Sequence, residues 1–402
     1  MEALKFGNGV WATKTGSSMA YNDHSGNYKP LPFNVVRNSI ATRVNKEGLI
    51  EVVGHDKLRI DYTDTDKGVA LLENTSTNLV TYSEDFSQSA WQKLGLGTGS
   101  AAIVTSDYDI SPDGTQNASR LQCDLNNGGS SSSNQSLIAF IYSNSGNQTI
   151  SIYLKSNNGQ NQTIYFANTQ TSGDTITVTT QWQRFEFNHS TAIYVLAIGL
   201  RGRSSGAIND TADILIWAAQ AEANSFPTSY IPTSGSAVTR AADVANNAGN
   251  SEVFNDSEGV LFADVDFLTF TGNDYFGLND GTNNQRILIE RSTTNIKAYV
   301  NAVSLIAPIS SLINKTAVSY KANDYKLYLN GFKVVTDTSS SVTPSGLNAF
   351  EFELGGGFNL FAYLKAKQIG YYDAILTDAE LEKLTSYNSL SELVTELNLN
   401  TL

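Results

Sequence analysis

Short runs of alternating apolar and polar residues dominate the chain, separated by clusters of Gly, Asn, Ser, Thr and Asp. QTISIYLKS (148–156), QTIYFANT (162–169), DTITVTT (174–180) and ADILIWAAQ (212–220) are examples. A period of two places Ile150, Ile152 and Leu154 on one strand face and Ser151, Tyr153 and Lys155 on the other. Such strands, recurring at roughly 8–15-residue spacing without long helical patterns between them, predict antiparallel sheets stacked in pairs. The expected fold class is therefore all-β. It has two antiparallel β-sandwich (jelly-roll) domains in tandem after an N-terminal attachment segment, with short C-terminal helices.

The pattern divides the chain into a lead-in at 1–76, a first sandwich at 77–245 and a second at 246–402. The join VANNAGNSEVFND (244–256) is small and polar, as a linker would be. NNGGSSSSNQ (126–135) reads as a surface loop inside the first sandwich. YKLYLNGFKVVTDTS (325–339) predicts a hairpin in which Asn330-Gly331 supplies the positive-φ turn. Near the end, Thr377 and Glu380 have capping-box spacing before an apolar stripe at Leu381 and Leu384. A second box-like start at Ser389 and Glu392 precedes Leu393, Val394 and Leu397. This last helix either packs on a neighbouring subunit or frays.

Composition narrows the function classes. The chain has 402 residues and a charge of 26 − 39 = −13. An acidic surface repels phosphate backbones and anionic lipid, so neither nucleic-acid binding nor membrane association is expected. No apolar run approaches the length of a membrane span, and the N-terminus lacks the pattern of a signal peptide. Cys123 is the only cysteine, so neither an intrachain disulfide nor a thiolate cluster can form. His24, His55 and His189 have no metal-ligand spacing.

The stretch NLVTYSEDFSQSAWQKLG (78–95) followed by SPDGTQNASRLQ (111–122) resembles carbohydrate-binding-module-like jelly rolls, which are common in phage tail and other virion proteins. SIYLKS (151–156), TTQWQRFEF (179–187) and IWAAQAEANSFPTSYIPTSGSAVTRAADV (216–244) continue the resemblance. In the family, W-G-A-Q-L-E-x-G-x-x-x-T-S-Y-I-P-T closes the domain. Here Ala218 stands for the first Gly, Ala221 for the Leu and Asn224 for the later Gly. Residues 33–64 resemble the lead-in found before such domains in phage structural proteins. The second sandwich looks like a laminin-G or concanavalin-A-like lectin domain, on YKLYLNGFKVVTDTS and KQIGYYDAILTDAELEKL (367–384).

Sugars are held by aromatic platforms with amides and carboxylates on their hydroxyls. Tyr142, Tyr165, Trp91 and Tyr275 are the candidate platforms, with Tyr194 beside them; Trp182 and Trp217 occupy pattern positions that suit a core. The Asn/Asp-rich stretch 271–286 offers Asp274 and Asp280, with Asn279 and Asn283, as calcium-type oxygen donors or as ordinary turn residues. Asp61, Asp64 and Asp66 read as a solvated turn or a metal set. Glu351 and Glu353 share one strand face, either as a hydrolytic pair or as solvent-facing partners of a core formed by Phe350, Phe352 and Leu354. The GGG at 355–357 leads to a strand and not to a helix N-terminus, so it is not a phosphate cradle.

The resemblance implies a non-enzymatic virion protein, made in the host cytoplasm, that displays its sandwiches to host-surface glycans. It would be a fibre, spike or adhesion component. Other virion proteins would be its partners, and a homo-oligomer, a trimer first, would multiply weak sugar contacts. No cofactor is expected, with calcium as the ion to test. The alternatives are an architectural or decoration protein that contacts only virion partners, and a polysaccharide depolymerase.

Overall fold

The computed structural model describes residues 1–402 except 12, 15, 64, 129–132, 143–145, 168–173, 190–194, 203–208, 269–272, 310–312, 356–359, 388 and 397–402. The expected all-β class holds, with antiparallel sheets and two short helices, α1 (Asp378–Thr385) and α2 (Leu390–Glu396).

The first sandwich stacks two five-stranded sheets. One runs Trp91–Leu96, Gln135–Ile141, Val195–Arg201, Gln162–Ala167, Asp174–Val178; the other runs Ile103–Asp109, Ala118–Asp124, Thr211–Glu222, Gln148–Ser156, Gln183–His189. Ile150, Ile152 and Leu154 face the shared core as the alternation predicts. The closing segment is knitted inward by its own side chains. Gln220 Oε1 accepts from the Ile231 amide at 2.7 Å, Glu222 accepts from Ser76 Oγ at 2.6 Å, and Tyr230 donates to Glu84 at 2.7 Å.

The second sandwich pairs a five-stranded sheet, centred on Arg286–Arg291, with an eleven-stranded one. The larger sheet does not stop at the second sandwich. Leu364–Tyr372 is flanked on one side by Glu258–Phe267 and on the other by Glu2–Gly7, and also pairs with Val69–Leu72. The N-terminal residues are therefore not a free-standing lead-in. They extend the second sandwich's sheet, and the first sandwich is inserted between them. The expected linker is also structured: Val244–Asn246 pairs with Asn34–Val36, and Val253 and Phe254 are buried.

A buried charge cluster holds this three-way junction. Arg37 and Arg59 come from the N-terminal part, and Arg240 and Asp243 from the exit of the first sandwich. Glu73 lies just before that sandwich. Asp243 accepts from Arg37 at 2.8 Å and from Arg59, and its Oδ2 also takes the Glu73 amide at 3.0 Å. Glu73 accepts from Arg59 at 2.8 Å and from Ser229 Oγ at 2.6 Å. Arg240 lies 3.6 Å from both carboxylates. Buried guanidinium–carboxylate pairs depend on partners for their N–H groups and lone pairs; Arg37 bonds through all three of its nitrogens, whereas the Nε atoms of Arg59 and Arg240 are buried without a partner.

Candidate functional site

A groove of about 1050 Å³ lies on the face of the eleven-stranded sheet turned away from the core. Its floor follows from strict alternation. In Glu258–Phe267, Ala263, Val265 and Phe267 point into the core, leaving Phe262, Asp264 and Asp266 on the outer face. In Leu364–Tyr372, Leu364 and Ala366 point in, leaving Lys365 and Lys367 outside. Register places Asp264 opposite Lys315 and Asp266 opposite Lys365. A shift of register beside Asp264 and Val265 leaves Lys367 unopposed, and its ammonium lies 3.1 Å from Asp266.

The walls come from both ends of the chain. One wall is the loop around Lys67, with Asn8 and Gly9. Gly7, at φ +88°, lets the first strand approach so closely that a Cβ there would stand 2.3 Å from the Lys367 carbonyl oxygen. The other wall is α1. Its capping box forms as predicted: Thr377 Oγ1 accepts the Glu380 amide, and Glu380 accepts the Thr377 amide at 2.8 Å. Leu381 is buried on Val260 and Phe262, which seats the helix. α2 is tied to the floor by Lys315, 2.7 Å from Glu392 and 3.7 Å from Asp264.

Three of the expected sugar platforms are corrected. Trp91 and Tyr165 are 1% exposed and Tyr142 5%, so none offers a face to a ligand. Trp91 packs on Phe86 and Phe140 and donates to the Tyr82 carbonyl at 2.9 Å. Tyr142 points into the sandwich core. Tyr165 belongs to a small apolar cluster on its sheet's other face, with Arg201 stacked 5.5 Å from its ring. Trp217 is core, as its pattern position suggests, and Trp182 is partly buried. Tyr194 lies outside the described residues.

Tyr275 stays at the surface. It sits on the outer face of the five-stranded sheet, with Glu290 opposite it and Lys297 beyond, 2.8 Å from Glu290. Tyr299 shares that face under Arg286, 5.0 Å from its ring.

The proposed calcium pair is likewise corrected. Asp274 and Asp280 bracket the strand Asp274–Asn279, so a six-residue extended run of about 20 Å separates them. Asp274 is buried against Arg291 at 3.3 Å and accepts the Tyr363 amide at 2.9 Å, and burial pushes its carboxyl up to about 6. Asp280 accepts from the amide and hydroxyl of Thr282, as a turn residue does. Asp61 is buried and bonded to the Val44 amide, Asp66 is exposed in the groove's lining, and Asp64 lies outside the described residues. Among the described residues no three His, Cys, Asp or Glu side chains converge as metal ligands would.

Glu351 and Glu353 do not face water. Phe350 and Phe352 enter the core as expected, but both glutamates are buried as well, and Asn279 donates to Glu351 at 2.7 Å. Burial raises both carboxyls, and neither glutamate lines the groove. No helix among the described residues is long and apolar enough to cross a membrane.

Fold and groove together describe a two-sandwich β protein with a polar cleft on one sheet. No protein-family model matches the chain, and no curated protein sequence matches it. Among solved structures it is similar to the CBM40 of a Ruminococcus gnavus IT-sialidase bound to alpha2,3 sialyllactose, at 16% identity and TM-score 0.29, over 33% of this chain and 84% of that one. It is also similar to mouse laminin alpha1 domains LG4-5, at 11% identity and TM-score 0.23, over 66% and 93%. A Trypanosoma rangeli sialidase in complex with the inhibitor DANA matches at 11% identity and TM-score 0.29, over 92% and 66%. Each overlap is too loose to carry a function to this chain.

Proposed function

We propose that this chain is a non-enzymatic display protein of a tailed-bacteriophage virion, a fibre, spike or adhesion component, that binds host-surface glycans in the groove against α1. The groove's lining carries the reading: carboxylates, ammoniums and the amides of Asn8 and Gln368 surround an apolar flank of half-buried Tyr372, Leu376 and Leu384. That mixture matches a sugar's hydroxyls and C–H faces. The virion context rests on the sequence resemblance of residues 33–244. Weak single-site sugar binding calls for several copies, so the protein acts as a homo-oligomer, with a trimer the first state to test. Particles lacking the protein will adsorb to host cells less well than wild type; unchanged adsorption would refute the role.

One observation favours an architectural reading as a second possibility. Phe332, 72% exposed, and Ile306, 51% exposed, lie on adjoining edge strands of the second sandwich. Replacing both with Asp tests it. Failure to incorporate into particles, with glycan binding intact, would assign that edge to virion contacts.

A further inference from the structure

The groove's charges bear on which sugar it takes, an inference that rests on the glycan reading above. Five of the chain's sixteen lysines line it: Lys67, Lys315, Lys365, Lys367 and Lys383. Five acids line it too, but the protein itself engages four of them. Asp264 and Glu392 both lie against Lys315, Asp266 lies against Lys367, and Glu380 closes the α1 capping box. Asp66 is the remaining acid.

Two of the lysines are placed differently. Lys67 and Lys383 stand on the two walls, both exposed, and neither has an ion-pair partner among the described residues. Lys67 is also held in place. Its stem packs where a Gly9 Cβ would stand, 3.3 Å away, and its carbonyl accepts from Trp11 Nε1 at 2.7 Å. A protein of charge −13 thus places two uncommitted ammoniums in the lining of this groove. The same lining holds hydroxyl acceptors and the half-buried apolar side chains of Tyr372, Leu376 and Leu384.

We infer that the groove selects acidic saccharides, with Lys67 and Lys383 taking the carboxylate or sulfate and the floor taking hydroxyls. Lysine is a compact point charge without the guanidinium's planar fork, so either anion fits.

The test is calorimetric titration of the full chain with three acidic oligosaccharides, one uronate-bearing, one sialylated and one sulfated. Each is paired with its carboxyl-reduced or desulfated counterpart. At least one acidic member will bind about tenfold tighter than its neutral partner at low salt, and the gap will shrink at high salt. The double variant Lys67→Gln/Lys383→Gln, at exposed positions, will keep its circular dichroism spectrum and lose that preference. Equal binding of acidic and neutral members would overturn the acidic selectivity while leaving the groove a glycan site. An unchanged preference in the double variant would overturn the assignment to these lysines. No binding by any member would overturn both.

Discussion

Asp243 gives the sharpest test of how the two sandwiches are held together. Its carboxylate serves Arg37, Arg59 and Arg240 at once and caps the Glu73 amide, all out of contact with water. Three guanidiniums against two carboxylates leave the buried set at +3 − 2 = +1. Asp243→Asn raises it to +2, with the same groups still excluded from solvent. Removing one partner from a buried set in this way costs about 3–5 kcal/mol. Arg240→Met instead brings the set to zero. It sacrifices mainly packing and the 2.7 Å bond to the Asn74 carbonyl, and should cost less than about 2 kcal/mol. Urea unfolding of both variants at pH 7, followed by circular dichroism, measures the difference. Acid supplies an independent arm. The Arg240 and Arg59 guanidiniums and the Ser229 bonds outweigh burial and hold Glu73 down to about 2, from an ordinary 4.5. Between those values the unfolded chain binds the extra proton, so stability rises with pH there. This contribution, on the order of 3 kcal/mol, is complete above pH 4.5 and disappears as pH falls towards 2. Equal costs for the two substitutions, or a loss below about 1 kcal/mol for Asp243→Asn, would refute the reasoning.

Gly7→Ala forces a Cβ to within 2.3 Å of a carbonyl oxygen at φ +88°; it should destabilise the chain by at least about 2 kcal/mol in urea, and a neutral effect would mean the first strand does not dock as described. Cys123 is buried, with its thiol pushed up to about 12 by burial, so a thiol reagent at pH 8 should label the native protein only at its unfolding rate; labelling within minutes would contradict the burial. Thr377→Ala removes the α1 cap, at a cost of about 1 kcal/mol, and should speed amide exchange within Asp378–Thr385 while leaving both sandwiches protected.

The sheets were legible because alternation survives burial. Ile150, Ile152 and Leu154 face the core, and the Asn330-Gly331 turn has both residues at positive φ. The capping box at Thr377 was legible because it is local. One departure from the family pattern acquires a physical meaning: Ala218, where the family has Gly, sits at φ +56° beside a register shift in its strand. Another is put to use, since Asn224 donates to Ser76 Oγ at 2.8 Å, a bond glycine could not make. The sugar platforms misled because out-of-phase aromatics such as Tyr165 point away from the main core yet are still buried on the sheet's other face. The groove was hidden for a different reason. Asp264 and Asp266 in DVDF, and Lys365 and Lys367 in LKAK, each show charge alternating with apolar residues, the mark of a polar strand face. About a hundred residues separate the two segments, and only the pairing of Glu258–Phe267 with Leu364–Tyr372 sets them side by side. The extension of that sheet by the first seven residues left no local trace at all.

Where a host glycan lands tests the groove's proposed role most directly. Amide hydrogen exchange of the full-length protein, with and without host-surface polysaccharide, locates it. Added protection concentrated in residues 65–69 and 376–386, on the two walls of the groove, is the predicted result. Protection confined to the first sandwich, or none anywhere while the polysaccharide is bound, would contradict it.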